Sequence, residues 1–167
     1  MGTEHEENIL RSLRRITRAI DLHSRQLARE YKLTAPQLVC LRYLFNNGAS
    51  MPSKLAREVA LSQATVTGIL DRLEARELVT RQRDTADKRR VIVALTGEAR
   101  ELVVSAPLPL QQRLAARLRG LPEAERHRIA GVLDEIVEMM EAEDLEASPV
   151  LSAGPIAAEP SDVADFL

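Results

Sequence analysis

Apolar side chains recur at helical spacing along most of the chain, which predicts a mainly α-helical protein. The first predicted helix carries an apolar stripe, and His23 occupies the stripe position between Ile20 and Leu27. This stripe consists of Ile9, Leu13, Ile16, Ile20, Leu27 and Tyr31. A second helix begins after Thr34, because Thr34 and Gln37 have the spacing of a capping box and Pro36 lies in the first turn. Residues 46–48 (Asn-Asn-Gly) end this helix, whose largely apolar circumference indicates a central, buried element.

Two short helices joined by a tight turn are predicted next. Ser53 is the expected N-cap of the first helix, and Ser62 is the expected N-cap of the second, which runs to about Glu77. The apolar face of the second helix is formed by Val66, Ile69, Leu70 and Leu73. A helix pair of this kind is a helix-turn-helix.

A β-hairpin is predicted directly after the helix pair. Residues 78–83 and 91–96 are rich in β-branched side chains, and the polar residues 84–90 between them form a charged tip. The predicted fold class is therefore mainly α with a small β-wing.

The C-terminal third is predicted to be helical with interruptions. Pro107 and Pro109 break the helical pattern, and residues 120–122 (Gly-Leu-Pro) mark a stop and a restart. The last helix carries one apolar face, formed by Ile129, Val132, Leu133, Ile136 and Met140. Beyond roughly Ala142 the chain is acidic and rich in Ala, Pro and Ser, which predicts a disordered tail over residues 143–167.

Composition narrows the function classes. Only 2% of the 167 residues are aromatic and none is Trp, which argues against a single-strand binder that stacks bases on aromatic rings. The net charge is −2, but residues 1–120 carry 21 Lys and Arg against 13 Asp and Glu, whereas residues 121–167 carry two Arg against twelve acidic residues. An acidic C-terminal end therefore hides a moderately basic body in the net charge.

One Cys excludes an internal disulfide, and no signal peptide or membrane span is visible, so a cytoplasmic protein is expected.

The outer face of the second helix of the helix-turn-helix is small and polar. Ala64 and Gly68 leave a shallow surface that lets the helix backbone approach a major groove. The Ser62 cap leaves first-turn N–H groups that a phosphate can accept. The side chains expected to reach base edges or phosphates are those of Gln63, Thr65, Thr67 and Arg72. The alternative is an ordinary amphipathic helix whose outer face meets water.

The charged hairpin tip favours the DNA-binding interpretation. Lys88, Arg89 and Arg90 lie beside Asp87, and a basic wing can straddle the DNA backbone or place an Arg in a narrow minor groove. Asp87 is expected to hold Arg89 or an adjacent Arg through an ion pair. The alternative is a solvated turn with alternating charges.

These segments, in this order and spacing, resemble the MarR-type winged helix-turn-helix regulators of bacteria and archaea over roughly residues 8–140. The resemblance is densest at residues 33–37 (Leu-Thr-Ala-Pro-Gln), 61–67 (Leu-Ser-Gln-Ala-Thr-Val-Thr) and 71–74 (Asp-Arg-Leu-Glu), and in the wing at residues 83–84, 87–89 and 95–96. It implies a dimer that binds a pseudo-palindromic operator in double-stranded DNA, usually as a repressor. It also implies that residues 62–67 and Arg72 match the recognition helix and that Asp87 and Arg89 match the wing.

The sequence departs from the family pattern at some positions. Ala60 stands where the turn often has Gly, so a slightly different turn geometry is expected.

Residues 18–24 (Arg-Ala-Ile-Asp-Leu-His-Ser) resemble the same segment of family members that control genes for compatible solutes such as ectoine. This likeness implies a role in the stress response.

A dimer is also expected from the apolar stripes of the first and last helices, because a lone winged domain offers too little core to bury both. The stripe residues expected at the interface are Ile9, Leu13, Ile16, Ile20, Ile129, Val132, Leu133, Ile136 and Met140. The alternative is that the two stripes pack on each other within one chain. The expected organisation is a dimerisation helix (1–33), a winged DNA-binding domain (34–96), further dimerisation helices (97–142) and the tail (143–167).

Several modes of regulation stay open. Arg18 and His23 are candidate contacts for a small ligand, although a His in such a stripe is more often a hydrogen-bonded interface residue. Cys40 is a poor redox sensor because it lies in the most apolar helix. Binding that depends on phosphate contacts also weakens with salt, so a direct response to ionic strength is an alternative.

Enzymatic function has little support in the sequence. His5, His23 and His127 are far apart without metal-ligand spacing, and the seven Gly residues form no phosphate-binding loop. No cofactor, metal or membrane partner is therefore expected. The alternative function class is a winged helix that binds proteins rather than DNA, with the acidic tail docking a partner.

Overall fold

The computed structural model describes residues 4–145 and 147–153. It is mainly helical, with one two-stranded antiparallel sheet. The elements in chain order are α1 (Glu4–Gln26), α2 (Ala35–Asn47), α3 (Pro52–Glu58), α4 (Gln63–Ala75), β1 (Val79–Arg83), β2 (Val91–Leu95), α5 (Gly97–Ser105), α6 (Leu110–Arg119) and α7 (Glu123–Met139). The described residues form two compact units, one of residues 4–107 with 149–153 and one of Leu108–Ser148 without the undescribed Glu146.

The first predicted helix has a change of geometry near its end. After α1 the chain continues as a π-helical turn over Leu27–Tyr31, and Lys32 ends the turn with a left-handed φ of 53°. Leu27 and Ala28 in this turn are buried. π-helical turns are rare and often mark functional positions.

The predicted capping box starts α2. The Thr34 N–H donates to Gln37 Oε1 at 3.0 Å, and the Gln37 N–H donates to Thr34 Oγ1 at 3.4 Å. Eight of the thirteen residues of α2 are buried, so α2 is the central helix of the first unit, as its apolar circumference predicted. Gly48 then ends the helix, and its N–H donates to the Leu44 carbonyl.

The helix-turn-helix is formed by α3 and α4. The prediction that Ser53 caps α3 is wrong, because Met51 is the N-cap, two residues earlier, and the helix begins at Pro52, which needs no N–H partner. Ala60 in the turn adopts a left-handed φ of 57°, the conformation that Gly takes most easily. The second helix ends at Ala75, two residues before the predicted limit of Glu77.

The predicted hairpin is present with slightly shorter strands. β1 and β2 pair from Val79 opposite Leu95 to Arg83 opposite Val91, so each strand is one residue shorter than predicted. Val93 is buried, and an isolated bridge to Ser50 ties the hairpin to the segment between α2 and α3.

The predicted proline interruption separates α5 from α6. The helix ends at Ser105 and restarts at Leu110, so Pro107 and Pro109 lie between the two helices. The second stop is also present, since α6 ends at Arg119 and α7 begins at Glu123. Met140 occupies the C-cap of α7 rather than its last turn. None of the residues of α6 and α7, all of which are described, is buried.

The prediction of a disordered tail is wrong for residues 149–153. Val150 is 1% exposed and belongs to the hydrophobic core of the first unit, and the Ala153 N–H donates to the Ser24 hydroxyl of α1. Val150 and Leu151 lie in a short, Pro-containing stretch without charges and repeat at no helical or strand spacing, which is why the sequence pattern missed this contact. Residues 146 and 154–167, which also fall in the predicted tail, lie outside the described residues.

Candidate nucleic-acid interface

The N-terminus of α4 is capped by Ser62, as predicted. The Ser62 hydroxyl accepts the Thr65 N–H at 3.1 Å and lies 2.7 Å from Thr65 Oγ1. The first N–H groups of a helix point along its axis and carry the positive end of the helix dipole. The start of α4 is therefore suited to a phosphate oxygen.

Much of the outer face of α4 is accessible. Ser62, Gln63, Ala64 and Thr67 are exposed, whereas Thr65, Gly68 and Arg72 are half-buried. A Cβ built on Gly68 meets no heavy atom within 4 Å, so this position opens onto free space. The buried face of the helix is the predicted one, formed by Val66, Ile69, Leu70 and Leu73. A helix with this division can lay its outer face against another surface.

The wing tip is ordered by Asp87. Asp87 Oδ1 accepts the Arg89 N–H at 3.0 Å, and Asp87 Oδ2 lies 3.3 Å from Arg90 Nε. The ion pair therefore involves the neighbour Arg90, while Arg89 is held through its backbone. Backbone bonds between Asp84 and Arg90 and between Arg90 and Asp87 close the turn. Lys88, Arg89 and Arg90 are all exposed at this tip.

Arg81 joins the wing to α4 and was missed by sequence reasoning. From β1, its Nη1 lies 2.5 Å from Asp71 Oδ1 and 2.9 Å from Glu74 Oε2. Its Nη2 lies 3.4 Å from the Thr67 carbonyl. A signal was available, because Asp71 and Glu74 lie three residues apart on one side of the helix, and an Arg in the next element can bridge them. Arg81 thus fixes the wing against the outer face of α4.

The candidate sensor residues do not form one cluster. Arg18 is exposed and lies 3.0 Å from Asp21, whereas His23 is buried five residues further along α1. Five residues turn a helix by about 140°, so these two side chains lie on different faces. Their role in ligand binding stays a prediction.

Cys40 is fully buried in α2. Burial raises the pKa of its thiol to about 12, because the thiolate is poorly solvated in the apolar core. This environment agrees with the expectation that Cys40 is a poor redox sensor.

The predicted interface stripes are largely uncovered. On α1, Ile9 and Ile16 are 51% and 52% exposed, while Leu13 and Ile20 are half-buried. On and beside α7, Val132, Leu133 and Met140 are exposed, while Ile129 and Ile136 are half-buried. Their role in a dimer interface stays a prediction.

A helix-turn-helix followed by a basic two-stranded wing defines a winged-helix DNA-binding protein. The MarR family model matches residues 33–91, from two residues before α2 to the first residue of β2. The HTH-type transcriptional repressor NicR of Pseudomonas putida is 36% identical over 114 residues, which is 68% of this chain and 72% of NicR. The HTH-type regulator YsmB of Bacillus subtilis is 30% identical over 122 residues, which is 73% of this chain and 84% of YsmB. The chain belongs to the MarR family of transcriptional regulators, which are DNA-binding proteins and not enzymes.

Solved structures agree with this assignment. A structure of Bordetella bronchiseptica BpsR, whose DNA binding is regulated by 6-hydroxynicotinic acid, is 34% identical with a TM-score of 0.50. That match covers 77% of this chain and 98% of BpsR. Within the described part of this chain, every helix is too short or too polar to cross a membrane.

Proposed function

We propose that this chain is a cytoplasmic homodimeric repressor that binds a pseudo-palindromic operator in double-stranded DNA. The observation that carries the proposal is the open outer face of α4, with its capped N-terminus, joined by Arg81 of β1 to a wing that has a basic tip. These two surfaces belong to the same compact unit, so they can contact adjacent parts of one duplex.

In this proposal α4 enters the major groove. Gln63 and Thr67 reach base edges, while the absent side chain of Gly68 lets the helix backbone approach the bases. A phosphate accepts the first-turn N–H groups beside Ser62. Thr65 and Arg72 flank the contact and bind the DNA backbone.

The wing contacts the minor groove or the adjacent phosphates. Asp87 orders the turn through the Arg89 N–H and the Arg90 side chain, so the cations at the tip lose less freedom when they bind. Lys88 adds a further positive charge. Such contacts release counterions and make binding strongly salt-dependent.

Dimerisation buries the exposed stripes. α6 and α7 contain no buried residue, and helices without a buried face gain little tertiary stabilisation. A second copy would cover these helices and the exposed face of α1, and it would place two copies of α4 about one DNA turn apart. The stripe residues of α1 and α7 named above form this interface.

Binding is modulated by a small ligand or by ionic strength. The similarity to BpsR supports a small effector, and 6-hydroxynicotinic acid is the first compound to test. Ionic strength is the simpler alternative, because it acts directly on the phosphate contacts and would suit control of osmotic-stress genes. Measurement of DNA affinity over a range of 6-hydroxynicotinic acid concentrations at constant salt separates a response to this ligand from a response to ionic strength.

The experiment for the DNA interface compares Arg89→Ala with Arg100→Ala. Both changes remove one exposed Arg, but Arg100 lies on α5, outside α4 and the wing tip. Arg89→Ala is expected to weaken binding and to reduce the slope of log K against log salt by about 1, the value for one phosphate contact. Arg100→Ala is expected to leave the slope unchanged. Equal slopes for both variants and the wild type would remove the wing from the interface.

A further inference from the structure

The C-terminal strap, defined as residues 149–153, is built into the first unit although a separate unit intervenes in the sequence. Val150 fills a place in the core, where it is 1% exposed. The Ala153 N–H donates to Ser24 Oγ at 2.9 Å, and Ser24 Oγ donates to the Ile20 carbonyl at 2.9 Å. The strap thus completes the hydrogen bonding of a buried Ser on α1.

The attachment of the strap is weak enough to be reversible. Its described residues lie outside any helix or strand, so docking orders an irregular segment. Ordering five residues costs about 5–10 kcal/mol of backbone entropy, which offsets a large part of what the burial of Val150 and the polar contacts of the strap contribute. A docked and a released form are therefore close in free energy, which is the requirement for a switch.

A chain of direct contacts leads from the strap to α4. Ser24 lies three residues before the π-helical turn Leu27–Tyr31, which ends α1. At the end of that turn, the carbonyls of Tyr31 and Lys32 accept hydrogen bonds from the guanidinium of Arg76. Arg76 is the C-cap residue of α4. The end of the DNA-contacting helix is therefore fastened to the same junction that the strap supports.

The same turn is also fastened to α5. The Tyr31 hydroxyl donates to the Ser105 carbonyl at 3.0 Å, at the last residue of α5. The turn thus receives contacts from α4 and α5, and it follows directly on the part of α1 that carries the strap. Restraint of α1 by the strap restrains this junction, because rigid helical elements transmit displacements to their ends.

We propose that the strap is a regulatory latch that raises DNA affinity when it is docked. The docked strap holds the junction of α1 and α2, and Arg76 passes this restraint to α4, so α4 loses less freedom on binding DNA. Release of the strap loosens the junction and lowers DNA affinity. The coupling is reciprocal, so bound DNA favours the docked strap. This inference rests on the DNA interface proposed above.

The test compares Val150→Asp with Ala147→Asp in the full-length chain. Both variants add one carboxylate to the same stretch, but Val150 is buried whereas Ala147 is exposed. The probe is a duplex from the region upstream of the chain's own gene, and the readout is fluorescence anisotropy at fixed salt. Val150→Asp is expected to weaken binding roughly three- to thirty-fold, the usual range for residues along a coupling path, and Ala147→Asp to leave it unchanged.

Two further measurements separate the latch from a purely structural role. In an Arg76→Met background, Val150→Asp is expected to have little additional effect on affinity, because the connection to α4 is already broken. In the wild type, hydrogen exchange of the Ala153 amide is expected to slow when the duplex is added. This second readout needs no variant, so it stands even if Val150→Asp fails to fold.

The outcomes distinguish failure of the proposed DNA-binding function from failure of the latch alone. A wild-type chain that binds no duplex overturns the proposed function and the latch with it. Wild-type binding with equal affinities for Val150→Asp and Ala147→Asp overturns the latch alone. Exchange of the Ala153 amide that is the same with and without bound DNA has the same consequence.

Discussion

Replacement of Arg81 by Met tests how the wing is held against α4. The change keeps most of the side-chain length but removes the guanidinium that lies 2.5 Å from Asp71 and 2.9 Å from Glu74. The two carboxylate side chains are 59% and 41% exposed, so solvent screens both pairs. Exposed pairs contribute about 0.2–1 kcal/mol each, so we expect a loss of about 1 kcal/mol in the free energy of unfolding. For a chain of this length, such a loss lowers Tm by about 2–4 °C.

The same change is expected to weaken DNA binding by charge. Arg81 places one positive charge beside the two carboxylates of Asp71 and Glu74, so its removal leaves one more uncompensated negative charge on α4. A carboxylate about 8 Å from a phosphate is repelled by about 0.5 kcal/mol in a water-like dielectric. Loss of this one positive charge therefore weakens binding by about 0.5 kcal/mol, which is roughly two-fold.

The assay measures duplex affinity by anisotropy and the free energy of unfolding by urea titration. Arg100→Met is the matched control, because it removes an exposed Arg outside α4 and the wing. Addition of Asp71→Asn and Glu74→Gln to Arg81→Met is expected to restore affinity, since the repelling charges are then gone. The reasoning is refuted if Arg81→Met binds DNA as the wild type does, or if the triple variant stays as weak as Arg81→Met.

Three further predictions concern single positions. Gly68→Ala is expected to raise the free energy of unfolding by about 1 kcal/mol in urea titration, since the added Cβ meets no other atom. It is also expected to weaken DNA binding, because the methyl group lies on the outer face of α4. Gly131→Ala on α7, where the added Cβ is equally unobstructed, is expected to stabilise the protein without weakening DNA binding. Ala60→Gly is expected to stabilise by about 0.5 kcal/mol in the same titration, because relief of the left-handed φ exceeds the added entropy of the unfolded chain. Cys40, with its pKa raised to about 12, is expected to resist thiol reagents at neutral pH, and peroxide is expected to leave anisotropy-measured DNA binding unchanged.

Each of these predictions has an outcome that contradicts it. Equal DNA affinity of Gly68→Ala and the wild type would show that this face of α4 stays clear of the duplex. A destabilised Ala60→Gly variant would show that the turn tolerates Ala without strain. Loss of DNA binding in peroxide, reversed by a reductant, would make Cys40 a sensor despite its burial.

The helix ends, which depend on neighbouring residues, were the most predictable part of the fold. The capping box of Thr34 and Gln37, the Ser62 cap and the break at Pro107 and Pro109 each depend on a few neighbouring residues, and each is confirmed. These features follow from backbone donors and acceptors within one turn, so no tertiary information is needed to find them. The prediction for Ser53 failed because Pro52 offers a competing first helical residue, two residues before the predicted start.

Contacts between distant parts of the chain were not predictable from pattern alone. The bridge from Arg81 to α4 depends on how β1 lies beside the helix, and the core position of Val150 depends on the path of the chain after α7. A single Arg in a strand and one Val beside a Leu in a charge-free stretch carry no periodicity. The π-helical turn after α1 likewise has no signature in the apolar stripe, which continues through Leu27 and Tyr31.

Sequence-specific duplex binding is the central claim, and one titration tests it most directly. The purified chain is titrated by fluorescence anisotropy against a duplex from its own upstream region and against a scrambled duplex, over a range of salt concentrations. We expect tighter binding to the upstream duplex and a steep negative slope of log K against log salt. Absence of binding to either duplex at low salt would contradict the account and favour a winged helix that binds a protein partner.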